Sequence, residues 1–468
     1  MFQHKLSSTL IALCFTMMHA PTATAQSDTL EISVQDARQI ALRALDVDEF
    51  ELARKLAMGL LLADATDSHA YTILMQAHAQ LGHPKLAKAA ARLAYQYSDG
   101  KAESFSAALN AGSLAFHNQK YNAAQFWLRR AANHEPNEQS AKMLAADYAK
   151  VRAANPLSFN ISVSASPSDN LNNGANLSEN LVNGTPQLGY INASTRALSG
   201  IVATTDLQLR YRLNQNANSR TDARARVYVN TVSLSSEARA LMALDPFSRQ
   251  LKNSDLGSTY ADIGIDHHFA LGTAGAVATL SAKLGNTWSG QNKNYTFGQV
   301  GFSPSFRLAP KTRLSLGTLL EKRWSDIAPK NDLTRSQVSA TLHHRIDNGN
   351  HLSFGISLQD ISSDGRNISN KSAVANINYS FAKPVASIKV STGLSLGYTH
   401  YEGFSIFGPV EGGRSDMSVT GNVTMVFTKL DVAGFVPSVQ VQTGRKTSNI
   451  SRFNSNEMSV SLSIQSKF

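Results

Sequence analysis

Two periodicities divide this chain. From Ser33 to Arg152 the apolar residues return every three or four positions, the spacing of amphipathic helices. Beyond Pro156 they return every second position, as in strands with one greasy and one wet face. The helical stretch also repeats. Phe50, Ala53, Ala57 and Leu60 set an aromatic and then small or apolar residues at repeat spacing, and advancing 34 residues from Ala53 gives Ala87 and a further 37 gives Ala124. The last unit sets Gly112, Tyr121, Ala124, Leu128, Ala131 and Pro136 at the offsets of a helix–turn–helix repeat. Small residues let paired helices approach closely, and Pro136 ends the second helix of its pair. The expected element is a compact tetratricopeptide-like solenoid of about three units, closed by a capping helix in "EQSAKMLAADYAKVRA".

Fourteen alternating segments follow, at roughly 157–166, 196–212, 219–235, 256–270, 274–288, 294–308, 312–325, 333–346, 350–363, 370–382, 386–400, 415–428, 434–446 and 456–468. The links after even-numbered segments are short ("NQNAN", "LGTAG", "LAPKT", "IDNGN"). Those after odd-numbered ones are long and polar. Short turns on one rim and long loops on the other, over an even number of antiparallel strands, describe a transmembrane β-barrel. Trp288, Tyr295, Phe297, Trp324, Tyr398, Tyr401 and Phe427 lie near strand ends, where interfacial aromatics are expected. In the last segment Val460, Leu462 and Ile464 belong to the lipid face and the intervening serines to the lumen, with Phe468 as the closing aromatic.

The fold class is therefore α + β and multidomain: a helical repeat solenoid, then a 14-stranded antiparallel barrel. The expected organisation is a secretory signal at 1–25, a periplasmic repeat domain at 26–156 and an outer-membrane barrel at 157–468. The signal rests on Lys5, the apolar run Leu10 to Met18 and a small-residue cleavage site between Ala25 and Gln26. Cys14, the single cysteine, lies inside it, so the mature chain has no thiol chemistry. An even strand number puts both ends of the barrel on the short-turn side, and the repeats with them.

Charge sharpens the picture. The net charge is +10. Residues 26–156 are balanced, whereas residues 157–468 carry 29 Lys+Arg against 20 Asp+Glu, so the excess belongs to the barrel. In an exported protein this excludes nucleic acid in favour of acidic lipid headgroups or an acidic passenger. Asp262, Asp266 and His268 share one lumenal face, and His343 with Arg345 line another, but no serine is singled out as their nucleophile. The doublets His267–His268 and His343–His344 point to opposite faces of a strand and offer one ligand per side at most. No phosphate-binding glycine loop is present. The expectation is a protein that is not an enzyme and has no cofactor and no metal.

Repeats joined to a fourteen-stranded barrel resemble the surface lipoprotein assembly modulators (Slam proteins). The likeness is sharpest in "SFNISVSASPSDNLNNGANLSE", with Asp169, Asn170, Asn172 and Asn173 in an Asn-rich turn, and in "GTPQLGYINASTRALSGI", with Arg196, Ser199 and Gly200. Asn and Gly runs also simply make turns. The resemblance implies delivery of a protein client, a surface lipoprotein or a related haem- or metal-capturing protein, to the cell surface. Its partners would be that client, outer-membrane lipid and lipopolysaccharide, and the barrel-assembly machinery that reads Phe468. The alternatives are an exopolysaccharide-export porin with a repeat scaffold, and a barrel enzyme or passive porin.

Overall fold

The computed structural model describes residues 32–272, 275–430 and 435–466. The signal segment, with Ala25 and Gln26, and the terminal Phe468 lie outside the described residues.

Seven helices come first: α1 (Val34–Asp46), α2 (Phe50–Ala63), α3 (Ser68–Gln80), α4 (Pro84–Gln96), α5 (Gly100–His117), α6 (Tyr121–Ala132) and α7 (Glu138–Ala154). Caps are written in the sequence. Asp67 accepts from the Ala70 N–H at 3.0 Å, Asn137 accepts from Ser140 at 2.9 Å, and Pro84 opens α4. The helices form three antiparallel pairs plus α7. Ala53, Ala87 and Ala124 take equivalent places on the second helix of each pair, all fully buried. Gly112 faces Leu128 so closely that a Cβ on it would sit 2.9 Å from Cδ2. Phe105, Leu128, Leu144, Tyr148 and Val151 form the core of the last pair and α7.

The remainder is one closed barrel of fourteen antiparallel strands: β1 (Leu157–Ser168), β4 (Gly200–Gln215), β5 (Ser219–Leu234), β6 (Ser258–Ala270), β7 (Val277–Ser289), β8 (Asn292–Ala309), β9 (Thr312–Ser325), β10 (Leu333–Arg345), β11 (His351–Ser363), β12 (Asn370–Ser380), β13 (Ile388–Tyr401), β14 (Arg414–Phe427), β15 (Phe435–Ser448) and β16 (Ser455–Ser466). Each expected alternating segment lies on one of these strands. The first long loop holds a small hairpin, β2 (Glu179–Val182) with β3 (Thr185–Tyr190), and the second holds a short helix, α8 (Ser236–Ala243). The hairpin turn is Asn183–Gly184, with φ of 50° and 78°. Both residues are left-handed, as a two-residue turn between twisted strands requires.

Exposure alternates along the strands. Phe159, Ile161 and Val163 face outward from β1, Ile263 from β6, Leu284 from β7, Val338 from β10 and Met417 from β14. A closed barrel has no free edge, and a sheet wearing its large apolar side chains outside is built for hydrocarbon rather than water. This is an outer-membrane barrel. No helix among the described residues is long and apolar enough to cross a membrane.

Three of the expected interfacial aromatics turn out otherwise. Tyr295 and Phe297 share the parity of Gln299 on β8 and point into the lumen, where Phe297 is 2 % exposed and stacks on Tyr260 at 5.4 Å. Tyr401 also turns inward, under the Arg414 guanidinium at 4.4 Å. The lumen has room for rings that lie flat on charged neighbours, so an aromatic near a strand end need not face lipid.

Candidate functional site: the lumen and its two mouths

Pairing partners across a sheet face the same way, so the register fixes the lumen lining. The wall from β4 to β10 is charged. Arg226 grips Asp206 with two hydrogen bonds at 2.9 and 2.8 Å. Arg224 stands 3.6 Å from both Asp262 and Asp266, Arg220 pairs Asp222 at 2.7 Å, and Arg323 pairs Glu321. Lys283 donates to the Tyr260 hydroxyl at 3.0 Å. Glycines make this layer fit: a Cβ on Gly285 would lie 2.6 Å from the Phe297 ring. The opposite wall, β11 to β16 and β1, is uncharged through its middle. Its register lines are Ser357–Val374–Gly397–Ser418, which runs on to Lys446 near the long-loop end of β15, and Gly393–Asn422–Gln442–Ser459. The hydroxyls of Ser166 and Ser461 join across the β1–β16 seam, as do those of Ser438 and Ser463 at 2.7 Å between β15 and β16.

Asp262 and Asp266 therefore serve Arg224. His268 reaches Thr279 through Nδ1 at 2.8 Å and stands 3.5 Å from Asp222. His267 faces out and His268 in, as adjacent residues must. Among the described residues, no three His, Cys, Asp or Glu side chains gather as metal ligands.

At the long-loop mouth the loops form a continuous hydrogen-bonded ring. The loop after β1 meets the loop after β5 where Ala193 N–H donates to Asp245 at 2.6 Å. It meets the loop after β15 where Asn183 N–H donates to the Asn449 carbonyl at 2.8 Å, and it reaches past that loop to Glu411. The circuit continues through Asn449 to Gly413, Asn367 to Ser405, Ser363 to Asp332, Lys293 to Asp326, and Gly290 to Gly257. The Asn-rich turn anchors this ring. Asn170, 2 % exposed, accepts from Gly174 N–H and donates to the carbonyls of Gly174 and Asn456. Asn172 donates to the carbonyls of Ser194 and Arg196 and accepts from Leu198 N–H. Asp169 accepts from Met458 N–H, Asn173 is left-handed at φ 52°, and Ser199 shares a hydrogen bond with Ser235. Only glycine fits at positions 174 and 200, where a Cβ would meet the Arg196 and Ser233 carbonyl oxygens at 2.1 and 2.3 Å. Asp169, Asn170 and Asn172 thus staple the first loop to the rim.

At the short-turn mouth α7 runs into β1 through Asn155 and Pro156 alone. Asn155 is bound by Asn122 of the repeats through its carboxamide, and its carbonyl accepts from Arg212 of β4 at 2.8 Å. Arg129 of α6 lies over the Phe435 ring of β15 at 4.9 Å. The repeats thus dock on the β15–β1–β4 sector of the rim. Between them and the barrel opens a cleft of about 860 Å³, with Leu114, Tyr121 and Trp127 on its floor, Lys85 and Lys88 on its edge, and Tyr211 at the rim. Tyr121, read from the sequence as a repeat residue, contributes to this cleft, and Pro136 lies between α6 and α7. Periodicity alone does not reveal the cleft, because Asn155, Pro156, Leu157 and Tyr211 of the junction and rim close one side of it.

No protein-family model and no curated relative matches this chain. Solved structures match its two parts separately. The helical part is similar to the type III secretion translocator chaperone SycD of Yersinia enterocolitica, at 15 % identity over 26 % of this chain and 88 % of that one, with a TM-score of 0.24. The barrel is similar to a bacterial polysaccharide outer membrane secretin, at 8 % identity over 66 % and 98 %, with a TM-score of 0.34. It is also similar to an outer membrane channel of Pseudomonas putida F1, at 12 % identity over 66 % and 94 %, with a TM-score of 0.33.

Proposed function

We propose that this protein is a translocon of the Slam type, not an enzyme, which passes a protein client across the outer membrane to the cell surface. The carrying observation is the cleft of about 860 Å³ shared by the repeats and the barrel rim. Its floor is apolar and aromatic and its edges are basic, so it suits an extended polypeptide. The repeats sit in the periplasm, because barrels of this kind keep short turns there and long loops outside. Apolar residues of the client lie on Leu114 and Trp127, and the chain passes over the rim beside Tyr211 to reach the mouth. The lumen is lined by side chains on every strand, so the client crosses unfolded or along an opened wall. Drive comes from the client folding outside the cell rather than from nucleotide hydrolysis.

The test is deletion of Gln26 to Ala153 with barrel insertion checked separately and surface proteins assayed on intact cells. Loss of a displayed protein with the barrel still inserted supports the reading. Unchanged display with lost exopolysaccharide transfers the function to a polysaccharide porin. Unchanged display with intact polysaccharide reduces the repeats to a brace.

A further inference from the structure

The lumenal cations fall into two groups. On the charged wall most are matched, as Arg226 is by Asp206 and Arg220 by Asp222, while Lys283 is held by the Tyr260 hydroxyl and Arg335 by the Gln337 carboxamide. At the short-turn mouth the pattern breaks. Arg307 of β8, Arg313 of β9 and Arg345 of β10 all point inward by register, joined by His343 and by His351 of β11. All five are exposed, and among the described residues none has a carboxylate within ion-pair distance. Arg313 reaches only the Ser305 hydroxyl, at 3.2 Å, and Arg307 only the Pro310 carbonyl. They line a cleft of about 320 Å³. Its strands lie across the mouth from the β15–β1–β4 sector on which the repeats dock.

Three guanidinium groups held together without counter-charge repel one another, an arrangement that an anion arriving from outside relieves. Inward orientation takes them away from lipid headgroups. We propose that this cluster is a receiving site for an acidic segment of the translocated polypeptide, a deepening that rests on the translocon reading above. Polypeptide is favoured over an anionic polysaccharide by what lies further in. A polymer charged at every unit needs free cations all along its path, and beyond the mouth most cations of the charged wall are already matched, while the middle of the β11–β1 wall offers mainly hydroxyls, carboxamides and glycine, with Lys446 and the Arg414–Asp416 pair towards its far end. A chain with one acidic stretch needs them only where it enters. The segment leaves the cleft beneath the repeats, crosses the mouth, and docks its carboxylates on Arg307, Arg313 and Arg345 through bidentate hydrogen bonds.

The experiment uses the detergent-solubilised full chain and fluorescence anisotropy of three probes: a labelled peptide of alternating Glu and Ala, its Gln counterpart, and an oligogalacturonate of equal charge. The Glu peptide is expected to bind, more weakly as salt rises, and the Gln peptide not to bind. Arg307→Gln/Arg313→Gln/Arg345→Gln is expected to weaken Glu-peptide binding by roughly tenfold or more, with the triple Lys variant intermediate. Arg313→Gln alone, at an exposed side chain, supplies the same direction should the triple variant fail to fold. Glu-peptide binding unaffected by these changes, or absent from the native chain, overturns the proposal. So does oligogalacturonate binding as tight as that of the peptide and equally sensitive to the variants. Because these readouts require no client, they stand apart from the deletion assay: lost display with peptide binding unaltered by the variants sinks the receiving site and leaves the translocon.

Discussion

Asp245 holds Ala193: its Oδ2 accepts the backbone N–H of Ala193 at 2.6 Å and the Ser248 hydroxyl at 2.7 Å. This contact locks the first long loop to the second. The Ser248 hydroxyl, then the N–H groups of Ala193 and Phe247, hold the Asp245 carboxyl below its ordinary 3.8. A carboxyl lowered by folding contributes stability that is complete above its unfolded pKa and is lost as pH falls through the folded one. The lock is therefore expected to be insensitive to pH from neutrality to about 4 and to loosen below that. Hydrogen exchange at Ala193, corrected for its intrinsic pH dependence, measures this. Asp245→Asn should reduce protection roughly tenfold at neutral pH, since a charge-assisted acceptor is lost. Equal protection in both proteins would show that the loops are held elsewhere.

The facing of the last strand sets a second outcome. Leu462 is 56 % exposed on the lipid side, while Ser461 turns inward to Ser166. Leu462→Arg should cost ~2–4 kcal/mol if near the bilayer midplane and reduce barrel assembly, whereas Ser461→Arg costs one hydroxyl contact and should assemble. Heat-modifiable electrophoretic migration of folded barrel reads both. Equal damage would reverse the facing.

Gly112 tests the repeats. A helix-interior Gly→Ala gains ~0.5–1 kcal/mol in backbone entropy, and here the new methyl meets a flexible Leu128 end at 2.9 Å, so Gly112→Ala should be nearly neutral. Gly112→Leu has no such relief and should cost ~1–3 kcal/mol, partly recovered by Leu128→Ala. Thermal melts followed by the helical circular dichroism signal decide. A stable Gly112→Leu would mean the pair can separate freely.

Topology is the fourth. An epitope at the exposed Asp364 should be reached by antibody on intact cells, and one between Asp64 and Ala65 should not. Arg414 is a poor insertion point, because it is buried against Asp416 and three aromatic rings. Surface reactivity at Asp64 would invert the molecule.

The barrel is legible in the sequence because alternation is local: Val338, Ala340 and Leu342 declare a face without reference to any other strand. The helical repeat is legible for the same reason at Ala53, Ala87 and Ala124. Three kinds of feature are not. The β2–β3 hairpin carries its own signal in "VNGT", which the length of its loop conceals. Tyr295 and Phe297 lie near a strand end, where an aromatic suggests the lipid interface, although parity with Val300 and Phe302 already sets them on the other face. The roles of Asn170 and Asn172, and the unpaired cluster at Arg307, Arg313 and Arg345, depend on partners far along the chain or around the barrel, which no single segment records.

The contact between Ser166 and Ser461 spans 295 residues. Bringing the ends of so long a loop together costs about 5 kcal/mol by the logarithmic law, only ~0.6 kcal/mol more than for half that length. Thermodynamically the seam is cheap. Kinetically it is last, because β1 keeps an open edge of amides until β16 has been made and delivered. A strand left open that long will pair with whatever edge comes first, so the hazard this architecture carries is one of timing rather than of stability.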